Sequence, residues 1–461
     1  MTRELAFHLG TLTLSGGNSA LPDEVAALFS EDARSGNLRA RACDYAEIFL
    51  LMRKNGLDFI DRARAFSPLE LPDPGLKLRP HQQRALAAWQ TAGFRGVAAM
   101  PTGSGKTILA VAAIHRMQRP ALVLVPTIDL LTQWTGVLEN FFRRPIGMLG
   151  GGSHDVLPLT VSTYDSALLN MEFIGNRFAL LIADECHHLP GAETRLAAAM
   201  CIAPYRLGLS ATPELPEDRA VVLKDLIGET MIEVGINELE GKSLSPYRVE
   251  TVRVPLDPDE EALYRKNRAV YTAFLRRHGI NFSSGNDWSR FLQLCARSQE
   301  GKQVLRAFLE QRRIARGGKA KLRTVWKLAN RHVGERMIIF TADNATAYEL
   351  GRIFYWPVLT HHTKAGERKE FLDRFRTGDY PVLVTSKVLN EGVDVPDAAV
   401  GVVLSGSGSV REHVQRLGRI LRPAAGKAQA VLYELISADT SEENVSRRRR
   451  NHEAYRGHRH A

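Results

Sequence analysis

No long apolar run and no CxxC pair occurs in this chain of 461 residues. A membrane-spanning helix needs about 18 or more consecutive apolar residues, so we expect neither such a helix nor a membrane partner. The first residues, MTRELAFHLGTLTLSGG, lack the apolar core of a secretory signal, which predicts a cytoplasmic protein. The spacing of the 4 cysteines fits neither zinc nor iron–sulfur sites and predicts free thiols: Cys43, Cys186, Cys201 and Cys295.

Acidic residues are too few to balance the basic ones. The 61 Lys and Arg residues stand against 51 Asp and Glu, which gives a net charge of +10. The excess is concentrated from Tyr264 to Lys327, where sixteen Lys and Arg face three acids and the local net charge is +13. The rest of the chain therefore carries about −3. A basic surface favours polyanionic partners, so we expect nucleic acid to bind this segment.

Short apolar runs alternate with helical patterns in two parts of the chain, around residues 77–250 and 330–438. This alternation is typical of βαβ units and predicts two α/β domains with mostly parallel sheets. The proline-rich stretch SPLELPDPGLKLRP predicts a linker before the first of them. We predict five segments: an N-terminal module (1–75), a first α/β domain (76–250), a basic helical insert (251–329), a second α/β domain (330–440) and a basic tail (441–461).

The segment MPTGSGKT, from Met100 to Thr107, follows a strand-like run and precedes a helical pattern. This is the context of a phosphate-binding loop, in which glycines let backbone N–H groups face the phosphates. The common pattern begins with glycine, and Met100 stands in its place. Lys106 is expected to contact the β- and γ-phosphates of ATP, and the Thr107 hydroxyl to bind Mg²⁺. The predicted nucleotide-binding residues of this loop are Thr102, Gly103, Ser104, Gly105, Lys106 and Thr107.

A second polar cluster, DECHH, follows the apolar run ALLIA. A nucleotide hydrolase needs one carboxylate for Mg²⁺ and a base that orients the attacking water, and Asp184 and Glu185 suit these two roles. His187 would then link this hydrolytic site to neighbouring polar groups. Two alternatives remain at this point: a zinc site that uses His187 and His188, and a polar loop that simply ends a strand.

Several motifs occur in the order found in superfamily 2 helicases: PTGSGKT, DECH, SAT and QRLGRILR. PTIDLLTQW, STYDS, IIFTADN and TSKVLNEGVDVPDA also resemble motifs of that superfamily. Longer segments, among them NRFALLIADECHHLP and LSGSGSVREHVQRLGRILRP, are similar to those of XPB-like DNA repair helicases, particularly the archaeal and bacterial forms. The resemblance covers nearly the whole chain. It implies two RecA-like domains, a damage-recognition-like N-terminal module and a thumb-like insert.

The resemblance also implies roles for individual residues. Gln82 would lie near the adenine, and Gly392 and Asp394 would couple the nucleotide to the second domain. Arg419 and Arg422 would be arginine fingers, and Gln415 belongs to the same motif. Guanidinium groups suit the spread negative charge of a transferring phosphoryl group. From QRLGRILR alone, however, residues 415, 419 and 422 could equally form a solvated helix face.

One segment departs from the family pattern. The family has an Arg-Glu-Asp triplet after its third motif that is implicated in strand separation, whereas PELPEDR offers Glu217, Asp218 and Arg219 with no arginine before the acids. The resemblance implies an ATP-dependent 3′-to-5′ DNA helicase of DNA repair that acts on duplex, fork or bubble DNA and associates with the nucleoid. Two alternatives are a double-strand translocase that does not separate strands, and a nucleotide-gated DNA-binding adaptor that recruits a nuclease. A separate nuclease is a candidate partner in each case.

Overall fold

The structure, a computed structural model, describes residues 2–16, 21–33, 36–211, 215–241, 245–282, 287–386, 398–405 and 429–449. The chain divides after Gly235 into two compact units. Within the described residues, the first unit contains two sheets and the second unit contains one.

The first unit begins with a small sheet whose strands follow the order β3-β4-β2-β1-β5. Its strands pair antiparallel except β1 and β5, which are parallel. Apolar residues alternate along β1 and β2, and they bury one face of the sheet against Ile48 and Met52 of α2. The elements are β1 (Arg3–His8), β2 (Thr11–Ser15), α1 (Asp23–Ala26), β3 (Ser30–Glu31), β4 (Leu38–Arg41), α2 (Tyr45–Lys54) and β5 (Phe59–Arg62).

The second sheet of this unit alternates strands with helices from α3 onward. Its elements are α3 (Pro80–Thr91), β6 (Arg95–Ala99), α4 (Lys106–Met117), β7 (Ala121–Val125), α5 (Ile128–Phe142), β8 (Gly147–Gly150), β9 (Ser153–His154), β10 (Leu159–Thr163), α6 (Tyr164–Ile174), β11 (Leu180–Asp184), α7 (Arg195–Ala199), β12 (Tyr205–Ser210), α8 (Glu217–Leu226) and β13 (Thr230–Glu233).

Its strand order is β13-β6-β12-β11-β7-β10-β8-β9, with all neighbours parallel except β8 and β9. The central strands β7, β10 and β11 are buried along their whole length, and the sequences of β7 and β11 are accordingly almost continuous apolar runs. Strand β12 lies between β6 and β11. The segments that follow β6, β12 and β11 therefore leave the sheet at one carboxyl edge, where α/β proteins bind ligands.

The second unit contains a six-stranded sheet in the order β14-β19-β18-β15-β17-β16, and all its described neighbours are parallel. Its elements are α9 (Ile236–Leu239), β14 (Tyr247–Val254), α10 (Pro258–Arg277), α11 (Asp287–Arg297), α12 (Gln299–Gly317), α13 (Lys319–Arg331), β15 (Met337–Phe340), α14 (Asn344–Phe354), β16 (Val358–Leu359), α15 (Ala365–Thr377), β17 (Val382–Thr385), β18 (Val400–Val403), β19 (Ala430–Ser437) and α16 (Glu442–Arg449).

The predicted insert is helical, from α10 to α13. Phe274, Phe291 and Phe308 are buried in its apolar core, and Tyr271 packs against them. Trp288 joins the cluster through Phe291, with the ring centroids 5.4 Å apart. The aromatics that interleave with the basic residues of this segment therefore pack chiefly against one another rather than forming a row of free rings.

The predicted α/β class, with two parallel-sheet domains, an N-terminal module and a helical insert, is confirmed. The segment boundaries stay predictions, and the predicted boundary at residue 250 falls within a strand. Residue 250 lies inside β14, which pairs along its length with β19 of the second unit. The alternating sequence YRVETVRV is typical of a half-exposed edge strand, so it lacks the continuous apolar run by which the other strands of this sheet could be predicted.

Candidate active site

The loop between β6 and α4 has the geometry of a phosphate cradle. Gly103 and Gly105 have φ angles of 83° and 88°, a left-handed region that side chains rarely adopt. Helix α4 begins immediately afterwards at Lys106, with Thr107 in its first turn. The N–H groups of a first helical turn have no partner within the helix and attract anions. The loop is also held to β12, because the Met100 N–H donates to the Ser210 carbonyl at 2.8 Å.

The two predicted acids lie at the end of β11, on the same edge of the sheet. Asp184 is the last residue of the strand, and Glu185 follows with φ 47° and ψ 51°, a left-handed conformation that is unusual for a non-glycine residue. The Lys106 ammonium lies 3.6 Å from Glu185 Oε1. Both side chains are nearly buried, at 11% and 12% exposure. The fold thus joins two motifs that are separated by almost eighty residues.

Asp184 is held in place by three donors. The Trp134 indole N–H donates to Oδ2 at 2.9 Å, the Glu185 N–H donates to Oδ1 at 3.0 Å, and the Tyr164 hydroxyl donates to the backbone carbonyl at 2.9 Å. Trp134 and Tyr164 come from α5 and α6 and were not predicted as site residues. They fix the carboxylate while leaving it acceptor capacity for a cation.

Burial, and secondarily the charge of Glu185, raises the pKa of Asp184 from 3.8 to about 6, although the Lys106 ammonium opposes the shift. A folded-state pKa above the unfolded value means that the folded chain binds the proton more tightly. The contribution of this group to stability therefore decreases as pH rises from about 4 to about 6. A cation bound beside Asp184 and Glu185 would favour the charged carboxylate and so lower this pKa.

His187 is buried, and its Nδ1 lies 3.6 Å from Glu185 Oε2. Its ring also packs on His188, with the centroids 4.3 Å apart. Because the two imidazoles pack on each other, they do not converge on one ion. Across the described part of the chain, no group of three or more His, Cys, Asp or Glu side chains is arranged to hold a metal ion by itself. The geometry favours the predicted role of His187 beside the acids.

Two neighbouring side chains of α3 clamp the phosphate loop by hydrogen-bonding to its backbone carbonyls. Gln82 Nε2 donates to the carbonyls of Ser104 at 3.1 Å and Gly105 at 3.2 Å, while its Oε1 accepts from the Arg79 N–H at 2.9 Å. His81 Nε2 also lies 2.8 Å from the Ser104 carbonyl, which can only accept, so this nitrogen carries the hydrogen. Gln82 was expected near the adenine, and the structure places its amide against the loop backbone. His81 was not predicted.

The polar atoms around the loop fit a phosphate chain and its divalent cation. Thr102 Oγ1, Ser104 Oγ and Glu185 Oε2 are buried with no hydrogen-bond partner among the described residues. Buried polar atoms of this kind usually have a partner, which can be a ligand. An Mg²⁺ ion prefers carboxylate and hydroxyl oxygens together with phosphate oxygens and water, which is the donor set of Asp184 and Thr107.

Five predicted site residues lie outside the described residues: Gly392, Asp394, Gln415, Arg419 and Arg422. Glu217, Asp218 and Arg219 are described, and they form the exposed first turn of α8. Within the part of the chain that the structure covers, no helix is long and apolar enough to cross a membrane.

The net charge of the basic insert depends on where the count begins. Residues 257–327 contain seven acids against the same sixteen Lys and Arg, a net charge of +9, because four acids precede the segment counted from the sequence. Three of these acids pair with its cations: Asp257 with Arg323, Asp259 with Lys319, and Glu261 with Arg265. Arg312 packs on the Phe308 ring, and Lys321 is buried against Glu442. The exposed cations without an ion pair among the described residues include Arg297, Lys302 and Arg306 of α11 and α12.

A substitution at Gly105 tests the loop geometry. A Cβ there would lie 2.3 Å from Gln82 Nε2, and the backbone φ of 88° disfavours any side chain. We expect Gly105→Ala to weaken ATP binding by roughly tenfold, measured with a fluorescent nucleotide, because the loop must shift. Adding Gln82→Ala should restore only part of the affinity, since the backbone strain remains.

Gly136→Ala provides the matched control. Gly136 lies within α5, and a Cβ at this position would meet nothing within 4 Å. The change should leave ATP affinity unchanged and stabilise the fold by about 0.5–1 kcal/mol. Equal ATP affinities of the Gly105→Ala and wild-type proteins would contradict the phosphate-loop geometry.

Comparison with family models identifies three segments of the chain. Residues 5–63 match "Xeroderma pigmentosum group B helicase damage recognition domain", residues 75–215 match "Type III restriction enzyme, res subunit", and residues 317–460 match "ERCC3/RAD25/XPB C-terminal helicase". These segments include the phosphate loop, both acids and the two predicted arginines.

Curated relatives agree with these matches. A protein named DNA 3'-5' translocase XPB2 from Sulfurisphaera tokodaii is 37% identical over 83% of this chain and 87% of its own length. A DNA 3'-5' helicase XPB from Mycobacterium tuberculosis is 28% identical over 85% of this chain and 66% of its own length. A putative DNA 3'-5' helicase Rad25 from Halobacterium salinarum is 29% identical over 84% of this chain and 58% of its own length.

A solved structure has the same fold. The Hef helicase domain of Pyrococcus furiosus is similar with a TM-score of 0.54 and 17% identity, over 82% of this chain and 98% of that one. The three segment matches and the 37% identical relative, together with the phosphate loop and the acids on one sheet edge, decide the classification. This chain belongs to the XPB-like family of superfamily 2 DNA helicases.

Proposed function

We propose that this chain is an ATP-dependent DNA helicase or translocase that moves 3′ to 5′ and acts in DNA repair. The observation that carries the proposal is the approach of Lys106 to Glu185, 3.6 Å apart on the carboxyl edge of the sheet. Membership of the family implies ATP use, and the oxygen donors beside the loop favour Mg²⁺ as its companion. A protein with this activity would work in the cytoplasm, associated with the nucleoid.

The Lys106–Glu185 contact indicates how nucleotide binding would prepare the site. The β- and γ-phosphates offer the Lys106 ammonium a partner with more charge than a single carboxylate. When Lys106 moves to the phosphates, Glu185 is released to accept a proton from the attacking water. His187, 3.6 Å from the other carboxylate oxygen, would keep Glu185 oriented.

Asp184 and Thr107 would hold Mg²⁺, which neutralises phosphate charge when it is bound. Trp134 positions Asp184 by donating to one of its oxygens. Arg419 and Arg422, with Gln415, would act on the γ-phosphate from the second RecA-like domain, and Gly392 and Asp394 would couple that domain to the nucleotide. Hydrolysis would then depend on closure of the two domains.

We further propose the segment boundaries 1–75, 76–250, 251–329, 330–440 and 441–461 for the N-terminal module, the first RecA-like domain, the thumb-like insert, the second RecA-like domain and the basic tail. The N-terminal module and the insert would contact DNA. A separate nuclease is the partner class that fits a repair role.

A second candidate function is double-strand translocation without strand separation. The observation that favours it is the first turn of α8, where Glu217 and Asp218 are exposed but no arginine precedes them. A third candidate is a nucleotide-gated adaptor that binds DNA and recruits a nuclease.

Two DNA substrates separate the three functions. A forked duplex reports strand separation, and a triplex reports translocation, because a motor that moves along the duplex displaces the third strand. A helicase separates the fork with ATP, a translocase displaces only the third strand, and an adaptor does neither. The proposal of a motor fails if ATP changes neither substrate while the protein still hydrolyses ATP.

The exposed cations of α11 and α12 give a testable DNA contact. Phosphate contacts release counterions, so affinity should fall with salt by a logarithmic slope of about −0.9 per duplex phosphate contacted. Replacing Arg297, Lys302 and Arg306 with Ala should reduce the magnitude of the slope by about one to three units. All DNA sequences should be weakened about equally, because phosphate contacts carry no base information.

The control removes three cations from elsewhere. Arg116, Arg119 and Arg143 follow or end helices of the first unit, at the amino edge of its large sheet, away from the phosphate loop. Replacing them with Ala changes the net charge by the same amount and should leave the slope close to the wild-type value. If both triple variants change the slope equally, the insert makes no specific contact and only the total charge matters.

A further inference from the structure

An aromatic cluster lies at the amino edge of the second unit's sheet. Helix α14 runs from the end of β15 back to the start of β16, and α13 ends shortly before β15 begins. The end of α14 and the end of α13 are therefore both at the edge where the strands begin. The opposite, carboxyl edge is the one from which the predicted helicase motifs leave β15 and β17.

Three rings of this cluster stack. Trp326 of α13 and Phe354 of α14 are nearly parallel, with an interplanar angle of 8° and centroids 5.1 Å apart. The Trp356 ring lies 4.6 Å from Phe354. Phe354 and Trp356 also pack against the core of the sheet, whereas Trp326 remains 45% exposed. Core packing explains the positions of Phe354 and Trp356, but it does not explain why much of the Trp326 ring is exposed.

Packing does not explain the side chain of Tyr355, which lies between Phe354 and Trp356 in the sequence. Its side chain is 93% exposed, and its φ of 57° is a left-handed conformation at a helix end, where glycine is usual. A bulky residue in this region is strained, and such strain is concentrated at functional sites. A large, exposed ring on a strained backbone gives the folded chain no stability that a glycine would not give.

The two helix ends that carry these rings also carry exposed cations. Arg352 lies in the last turn of α14, three residues before Tyr355, and Lys327 and Arg331 lie one turn apart in the C-terminal half of α13, the helix that carries Trp326. All three are exposed, and none forms an ion pair among the described residues. By contrast, Arg323 on the same helix is paired with Asp257. The surface therefore combines exposed rings with uncompensated positive charge.

We propose that this surface, formed by Trp326, Lys327, Arg331, Arg352 and Tyr355 and called the amino-edge platform, binds single-stranded nucleic acid. Flat bases would stack on the Tyr355 and Trp326 rings, and the three cations would contact phosphates. Rings with adjacent free cations match the alternation of bases and phosphates along a strand. An acidic polypeptide matches only the charge, so we favour nucleic acid.

The proposal is independent of the motor activity, and its test uses no ATP. A fluorescent oligo-deoxythymidine strand is titrated with the full chain and with Tyr355→Gly. Glycine adopts a φ of 57° freely, so Tyr355→Gly should unfold at a higher temperature than wild type. Its affinity for the strand should nevertheless fall by about tenfold. A merely structural role of Tyr355 cannot produce these two opposite changes together.

Photo-crosslinking locates the contact. An oligonucleotide that carries 5-iodouracil should crosslink to Tyr355 or Trp326 in the wild-type chain. Phe173→Ala is the matched control, because Phe173 is an aromatic residue of the first unit with 63% exposure. This change should alter neither the affinity nor the crosslinks.

Two results would overturn the proposal. In the first, Tyr355→Gly binds the oligonucleotide as tightly as wild type, and the crosslinks map elsewhere. In the second, the strand affinity is unchanged but binding of poly-glutamate is lost, which would identify the platform as a site for acidic protein segments.

Discussion

The Lys106→Ala protein is expected to lose ATPase activity by about a thousandfold while keeping its fold and most of its DNA affinity. The alanine removes the cation that meets the β- and γ-phosphates. The loop backbone, with its left-handed Gly103 and Gly105, remains in place. DNA affinity should persist because it depends on phosphate contacts made by other cations. Steady-state phosphate release and a salt-matched DNA titration measure the two effects.

A lysine outside the site provides the control. Lys77 lies in the linker, is exposed and forms no ion pair among the described residues. Lys77→Ala should hydrolyse ATP at the wild-type rate. Near-normal hydrolysis by a purified Lys106→Ala protein would contradict the assignment of residues 100–107 as the phosphate loop.

Glu185→Gln is expected to bind ATP and fail to hydrolyse it, with a loss of about a hundredfold to a thousandfold. The amide keeps the size of the side chain but cannot accept a proton from water. It also cannot form the ion pair that Glu185 makes with Lys106 at 3.6 Å. Because the lysine then has no competing carboxylate at this position, ATP affinity should be no weaker than in the wild-type protein.

Asp184→Asn distinguishes the two acids. Asp184 has the pKa of about 6 and the indole contact, and we assign it to Mg²⁺ rather than to the water. Its asparagine variant should therefore need more Mg²⁺ for tight ATP binding, whereas Glu185→Gln should keep the wild-type Mg²⁺ dependence. If both variants lose nucleotide binding alike, or if the wild-type chain binds zinc stoichiometrically, the pair belongs to a metal site of another kind.

The parts of the fold that the sequence predicts are those determined locally. The phosphate loop needs only glycines between a strand and a helix, and the acids need only the end of an apolar strand. Both motifs are contiguous, so Lys106, Asp184 and Glu185 could be proposed before the sheet order was known. Their meeting follows from that order, in which β12 alone separates β6 from β11.

Contacts made across the fold could not be predicted in the same way. Trp134 reaches Asp184 from fifty residues away in the sequence. Its motif, PTIDLLTQW, resembles a superfamily 2 motif other than those of the phosphate loop and the acids, so nothing in it indicated a contact with the catalytic acids. The clamp by His81 and Gln82 likewise depends on α3 packing beneath the loop. Histidine and glutamine are common in structural roles, and their residue types alone did not distinguish a clamp from an adenine contact.

The sequence did not show which cations of the basic insert are free to bind DNA. A charge count over a sequence window cannot include partners that lie just outside it or far away. Asp257 and Asp259 precede the window and pair with its Arg323 and Lys319, and Glu442 pairs with buried Lys321. The remaining exposed cations, and not the total charge, define where DNA should bind.

The central claim is that this chain is an ATP-dependent DNA motor that hydrolyses ATP at Lys106 and Glu185, so its ATPase activity should respond to DNA. Its most direct test is the steady-state ATPase rate of the wild-type chain and of Glu185→Gln, each without DNA and with single-stranded, duplex and forked DNA. We predict that DNA raises the wild-type rate severalfold and leaves the Glu185→Gln rate near zero. A wild-type rate that no DNA changes, or a Glu185→Gln rate that DNA restores, would contradict the account.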